Sequence, residues 1–431
     1  MTSEVVLMNR RAVALAADSA TTVSRWVRGK RKTRYFKGAN KLFHLSICEP
    51  VGLMINGAGN LEGVPWEILI KSFREDLGRD NYPTLKGYAR RFFGWLQKNS
   101  EAFPKDFLER QFVAEAMVCA KRIAYAGFKE ASQSDGADDE QKAAIITAGF
   151  QQQADQVRKA TLIANATRKN VAEAISKLSD AVAEAFEKHR DLNLLCSILG
   201  KKTIIETSIT AVFKNEYSSL DQTGIIVTGF GEKDYFPSIE SYNCYGNVLG
   251  KLIYERDEYN CKQISQDNTS EIRAFAKAEM IHTFMFGANV NSLVVIDALN
   301  EKALDKMESA LAENNLLSAG TDIGALKSAV HEEFKESVTD YFRSEHIGDL
   351  RSVVGMLPIE ELAELAETLV LIESLKERVT TDEESVSGPI DVAVISKNEG
   401  LIWIKRKHYF NHDLNPRYFA GLRETMRYDN G

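Results

Sequence analysis

Four short apolar runs fall within the first 57 residues: EVVLM (4–8), AVALAA (12–17), KLFHLSI (41–47) and VGLMING (51–57). Each is too short for a stable helix, and each is bounded by a turn signal. NRR follows the first, Asp18-Ser19 closes the second, and Cys48-Glu49-Pro50 separates the third from the fourth. The runs pair as two hairpins, and their lack of polar alternation predicts a sheet packed on both faces. A glycine-rich exit, GAGN (57–60), follows the fourth run.

The texture then turns helical. PWEILIKSFREDLG (65–78) and TLKGYARRFFGWLQKN (84–99) carry apolar residues at helical spacing, the first opened by a proline suited to a first turn. A helix-forming region runs from about Phe107 to Leu199, broken by SQSDGADDEQ (132–141). Its Ala-rich part, 142–190, reads as a helical hairpin. Strand signals return at KTIIETSITAVF (202–213) and at 223–244, while 271–291 is ambiguous between helix and strand. Helices dominate 301–376, including IEELAELAETLVLIESLKE (359–377), and SGPIDVAVISKNEGLIWIK (387–405) reads strand, turn, strand. Runs of like elements, in place of strict βαβ alternation, predict an α+β layered domain.

Composition excludes several classes. The 431 residues are 44% hydrophobic and 27% charged, as expected for a soluble globular chain. A net charge of −7 gives no general case for nucleic acid. The basic stretch RWVRGKRKTRYFK (25–37) reads as a solvated loop or a subunit contact. Phosphate binding through Arg28, Lys30 and Arg31 is the alternative, and nucleic acid is not the expected partner. No run is long and apolar enough for a membrane span and no leader pattern is seen, so a cytoplasmic protein is expected. The five cysteines (48, 119, 196, 244, 261) are scattered and read as reduced thiols. No metal-ligand spacing, GxxxxGK[ST] or GxGxxG occurs, so neither metal nor cofactor is expected. His44 and His282 sit in apolar contexts and read as packed side chains.

Candidate chemistry gathers at the start. Removal of Met1 would leave Thr2 with a free α-amine, whose pKa of about 8 lets it act as a base near neutral pH. One residue would then carry both nucleophile and proton acceptor. Asp18 lies 16 positions on, at the end of the partner strand and beside the start of the first. Lys41 opens the third run, where its ammonium could lower the threonine hydroxyl's pKa with Asp18 holding it in place. The fourth run delivers the glycines of NGAGN, where an uncovered backbone N–H can face an oxyanion.

TSEVVLMNRRAVALAADSATT, NKLF and LMINGAGN resemble the proteasome β-subunit superfamily of N-terminal nucleophile hydrolases. Within it they are nearest in style to the bacterial proteasome-like peptidase that works beside an unfoldase ATPase. The resemblance implies a four-layer αββα sandwich carrying a mainly α-helical insertion. It divides the chain into a core in three parts (1–106, 200–300 and 356–410), helical insertions (107–199 and 301–355) and a tail (411–431). It implies Thr2 as nucleophile, Asp18 as the carboxylate orienting the lysine, Lys41 as catalytic lysine and Gly57 as the oxyanion N–H. A pocket of Thr21, Ile55 and Gly59 follows by analogy.

The sequence departs from the family before its last strand pair, in TTDEESVSGPID. There the best alignment puts Glu383 and Val386 where an aspartate and a serine assist proton transfer, and a one-residue shift offers Asp382 and Ser385. A further family serine would fall in FGANV (286–290), which has none. The expected function is a threonine amidohydrolase or peptidase acting through an acyl-enzyme on Thr2. Expected partners are a peptide or protein substrate, further copies of the chain and an ATPase unfoldase. The alternative is a non-catalytic scaffold that uses its helical insertion for assembly or signalling.

Overall fold

The computed structural model describes residues 2–27, 30–99, 103–134, 136–314, 316, 322–380, 386–411, 413–417 and 420. The early strands are β1 (Ser3–Asn9), β2 (Ala12–Ala17), β3 (Thr21–Val27), β4 (Lys30–Phe36), β5 (Leu42–His44), β6 (Val51–Gly57), β7 (Asn60–Leu61) and β8 (Val64–Pro65). The helices α1 (Trp66–Leu77), α2 (Leu85–Lys98), α3 (Lys105–Gln133), α4 (Asp139–Lys159), α5 (Arg168–Glu187), α6 (Arg190–Leu199) and α7 (Lys201–Val212) follow. Then come β9 (Thr223–Gly229), β10 (Ser238–Val248), β11 (Lys251–Arg256), β12 (Lys262–Gln263) and β13 (Ser270–Ala276). The chain continues through α8 (Glu279–Phe286), α9 (Val290–Glu313), α10 (Ile323–Phe342), a π-helical turn (Arg343–Gly348), α11 (Asp349–Met356) and α12 (Ile359–Thr380). It closes with β14 (Asp391–Ser396) and β15 (Gly400–Lys405).

The first hairpin forms because Asn9 caps its own turn, its Oδ1 accepting from the N–H groups of Arg11 at 2.9 Å and Ala12 at 3.2 Å. The two hairpins do not share a sheet, which corrects the single-sheet expectation. β1 and β2 lie in a five-stranded sheet of order β13-β1-β2-β14-β15. β5 and β6 lie in another of order β11-β10-β9-β6-β5, with β12 on β10. All these pairings are antiparallel.

Strand alternation sorts the core into separate clusters. Val6, Met8, Val13 and Leu15 pack with Met54, Ile226 and Ile239, joining the two sheets. Their neighbours Val5, Leu7, Ala14 and Ala16 face the other way, against Leu362, Ala366 and Leu369 of α12. On the second sheet, Leu53, Ile55, Ile225 and Val227 meet Trp66, Phe73 and Phe92 of α1 and α2. β1 and β2 are thus buried on both faces, the physical reason they lack polar alternation.

A further cluster belongs to α3–α7, with Phe112, Ile123, Phe150, Val182 and Phe186 at its centre. Residues 202–213 were expected as a strand; they form α7. Ile and Thr favour strands by propensity. However, Ile204, Ile205, Ser208, Ile209 and Val212 recur at helical spacing and are buried against the helices of this cluster. Burial of that stripe outweighs local propensity.

The ambiguous 271–291 resolves into β13 followed by α8. The basic stretch 25–37, expected as a loop, lies largely in the β3–β4 hairpin, with Arg28 and Gly29 outside the described residues. Most of the tail 411–431 lies outside them as well. Among the described residues no helix is long and apolar enough to cross a membrane.

Candidate active site around Thr2

Hairpin register brings the first polar groups together. Glu4 pairs with Ala17, so the strand ends place Thr2 and Ser3 beside Asp18, whose N–H donates to the Ser3 carbonyl at 3.2 Å. On the other side the Lys277 N–H donates to the Thr2 carbonyl at 2.9 Å. Backbone from the two flanking segments therefore holds this end of the strand, Asp18 gripping Ser3 and Lys277 gripping Thr2.

Asp18, 1% exposed, is the hub. Its Oδ1 accepts from Thr2 Oγ1 at 2.6 Å, from the Ser3 N–H at 3.0 Å and from Lys41 Nζ at 2.6 Å. Its Oδ2 accepts from the N–H groups of Ala20 at 3.1 Å and Ser387 at 3.0 Å. Lys41 is buried, and its ammonium also donates to Thr2 Oγ1. The Ile55 N–H donates to the Lys41 carbonyl at 3.0 Å, fixing the lysine to β6. A buried ion pair in which both charges make further hydrogen bonds is the arrangement that keeps two charges in a dry interior.

Two residues beside Thr2 escaped the sequence reading. The first is Glu4, which is fully buried and accepts from Thr2 Oγ1 at 3.2 Å, while its Oε2 is buried without a hydrogen-bond partner. Burial pushes its carboxyl up to about 8, assisted by the negative charge of Asp18 and opposed by Lys41, Thr2 and Asn56. A hydroxyl has one hydrogen to give and accepts the rest. With Lys41 donating and Asp18 at 2.6 Å taking that hydrogen, a neutral Glu4 can turn its own proton toward Thr2 Oγ1. A glutamate opening an apolar strand reads as a solvated end, so the sequence held no signal for this burial.

The second is Ser387. Its N–H reaches Asp18 from 369 positions away, and its Oγ is buried without a partner. The sequence alignment places helper positions at Glu383 and Val386, with Asp382 and Ser385 as the shifted alternative; Asp382, Glu383 and Ser385 lie outside the described residues. Val386 is buried. The available signal was the Ser-Gly-Pro turn just ahead of β14, where Ser19 Oγ donates to the Pro389 carbonyl at 2.5 Å.

Gly57 ends β6 in register with Thr223, with φ at +81°. Its neighbour Asn56 reaches Glu4 with its side chain, which places this strand end beside the cluster. A Cβ at Gly57 would stand 2.3 Å from the Gln222 carbonyl oxygen. Gly57→Ala is expected to cost about 2 kcal/mol or more in urea unfolding, from the left-handed backbone and this clash. An unchanged midpoint would show that the loop relaxes freely.

Of the proposed pocket residues, Thr21 is half-buried at the start of β3, Ile55 is buried in β6 and Gly59 is exposed. His44 packs against Trp403, whose Nε1 donates to its Nε2 at 3.0 Å, and burial pushes its imidazole down to about 4.

Glu4 makes a testable contribution to stability. Its ordinary value is 4.5 and its folded value about 8, so the fold favours the protonated form. That contribution is whole below about pH 4.5 and is lost as the pH rises toward about 8, at about 1.4 kcal/mol per pH unit. Glu4→Gln is expected to flatten the decline of the urea midpoint across this window. Equal slopes in both proteins would mean that Glu4 is ionised throughout.

No family model matches the chain, and no curated protein matches it. Similar solved structures include Anbu from Hyphomicrobium sp. strain MC1, 10% identical with a TM-score of 0.27, covering 99% of this chain and 97% of that one. Anbu (ancestral beta-subunit) from Yersinia bercovieri is 10% identical with a TM-score of 0.24, covering 99% and 96%. The helical assembly of the Anbu complex from Pseudomonas aeruginosa is 11% identical with a TM-score of 0.26, covering 99% and 95%. At these identities and scores the likeness fixes neither the fold nor the activity of this chain. These findings correct the resemblance to the proteasome β-subunit superfamily and to its bacterial unfoldase-coupled peptidase type. No family model carries it, and the solved structures named above are Anbu proteins at low scores.

Proposed function

We propose that the chain is a threonine-type amidohydrolase or peptidase that acts once Met1 has been removed. The observation that carries this reading is the contact of Thr2 Oγ1 with both members of the buried Lys41–Asp18 pair. Lys41 stabilises negative charge developing on Thr2 Oγ1, and Asp18 holds the ammonium in place. The hydroxyl proton passes to the freed Thr2 α-amine as Oγ1 bonds to the amide carbonyl carbon. The carbonyl oxygen becomes an oxyanion that the Gly57 N–H stabilises. The C–N bond then breaks, the leaving amine takes the proton held by the Thr2 amine, and an ester remains on Oγ1. Water, giving a proton to the same amine, hydrolyses that ester and restores Thr2. Neutral Glu4 keeps the charge around Oγ1 balanced between Asp18 and Lys41.

For the architecture we propose a four-layer αββα sandwich, supported by the division of the core into helix–sheet, sheet–sheet and sheet–helix clusters. The functional test is intact-mass measurement of the purified chain before and after a peptide electrophile. The expected result is a mass lacking methionine, with one adduct located on Thr2. A protein that retains Met1 and takes no adduct would favour a non-catalytic scaffold instead.

A further inference from the structure

A cavity lies where α3 meets the second sheet, between Glu62 after β7, Glu115 on α3, Asp221 before β9, and Asn247 on β10. Among the described residues none of these three carboxylates makes an ion pair. Arg122, the cation acting on Glu115, gives its guanidinium to the Tyr217 carbonyl at 3.3 Å. Burial pushes the carboxyls of Glu62 and Glu115 up, and Asp221 adds repulsion to both. Glu115 also accepts from Ser219 Oγ. Glu62 is held by the Asn247 N–H, which donates to its Oε1 at 2.8 Å. At Gly246 a Cβ would stand 2.6 Å from that same oxygen, with φ at +123°, so only glycine admits this approach.

The second observation is Asn247 itself. It is 4% exposed, and neither its side-chain oxygen nor its nitrogen has a hydrogen-bond partner. A buried amide left wholly unpaired costs free energy of the size of the bonds it forgoes.

We propose that this cavity binds an alkyl chain ending in an ammonium group. The ammonium offsets the clustered negative charge, and its N–H groups supply donors for the Asn247 oxygen and the carboxylates. Leu61, Leu108, Phe112 and Leu220 line the remaining wall and suit an aliphatic stem. A metal ion fits less well, because no three acidic, histidine or cysteine groups among the described residues are placed to hold one. The source of the amine is a lysine-like side chain of a peptide or a free alkylamine. Thr223 lines the cavity and pairs with Gly57, so either source would sit beside the strand end next to Thr2. The site does not depend on Thr2 being a nucleophile.

The test is calorimetric titration of the full chain with n-butylammonium, alongside n-butanol and magnesium. Saturable binding of n-butylammonium alone is expected, weakened at least tenfold in Glu62→Gln and in Asn247→Leu. If Asn247→Leu does not fold, Glu115→Gln takes its place. Displacement by a blocked lysine peptide, and not by its norleucine counterpart, assigns the site to a peptide side chain. Retention of the amine against that peptide assigns it to a free amine, and both outcomes uphold the site. Absence of saturable n-butylammonium binding, or equal binding of n-butanol or magnesium, overturns it.

Discussion

Thr2→Ala is expected to lower kcat/KM on an amide substrate by at least ~10⁴-fold while leaving the protein folded. The two effects separate because of how the cluster is wired. The substitution removes Oγ1, yet the Lys41–Asp18 bond at 2.6 Å survives, as do the three backbone N–H groups on Asp18. The stability cost is then confined to the contacts of Oγ1 with Asp18, Lys41 and Glu4, about 1 kcal/mol for each hydrogen bond lost. Thr2→Ser keeps the oxygen and is expected to retain measurable turnover. Circular dichroism establishes that each variant is folded, and a fluorogenic amide reports the rate. Wild-type turnover in a folded Thr2→Ala protein would remove Thr2 from the chemistry altogether.

The second large effect falls on stability. Asp18→Ala is expected to destabilise the chain by an amount comparable with its whole folding free energy, about 5–15 kcal/mol for a typical protein. It strands the buried Lys41 ammonium, a loss of about 3–5 kcal/mol in comparable buried pairs. It also leaves the N–H groups of Ser3, Ala20 and Ser387 without their acceptor, at about 1–3 kcal/mol for each one that stays buried and dry. These losses share one site and do not simply add. Adding Lys41→Met removes the stranded charge, so the double variant is expected to regain part of the stability and none of the activity. Thermal melting decides the matter: a fall of less than about 2 °C for Asp18→Ala would mean that water or a shifted side chain replaces the carboxylate.

How much of this was legible depends on whether the determining contact is local. The β1–β2 hairpin could be read because Asn9 closes its turn with its own side chain, and a hairpin's register follows from its turn. Once that register is set, Asp18 stands beside Thr2 without help from the rest of the chain. Lys41 was legible as the residue opening a strand, although its depth was not. The division of the two hairpins between separate sheets was illegible, since an apolar strand says that both faces are covered without saying by what. The helix at α7 was misread because Ile and Thr carry strand propensity, while the partner for its buried stripe lies in α3 and α5. The resemblance drawn from the N-terminal motifs was not upheld by the comparisons: no family model matches the chain, and short motifs at strand ends do not by themselves fix a family.

Glu4 and Ser387 mark the boundary most clearly. Both residues are plain in the chain, and neither could be placed from it. Glu4 becomes a buried, protonation-prone carboxyl only when β13, Lys41 and Asn56 close around it, since desolvation is a property of the surroundings and not of the residue. Ser387 meets Asp18 only because β14 pairs with β2 across most of the chain length. Sequence by itself determined the hairpin, its turn and the spacing from Thr2 to Asp18, because those follow from interactions between near neighbours. The tertiary structure alone decided which polar groups lose their water, because burial is set by whatever distant segments pack on top.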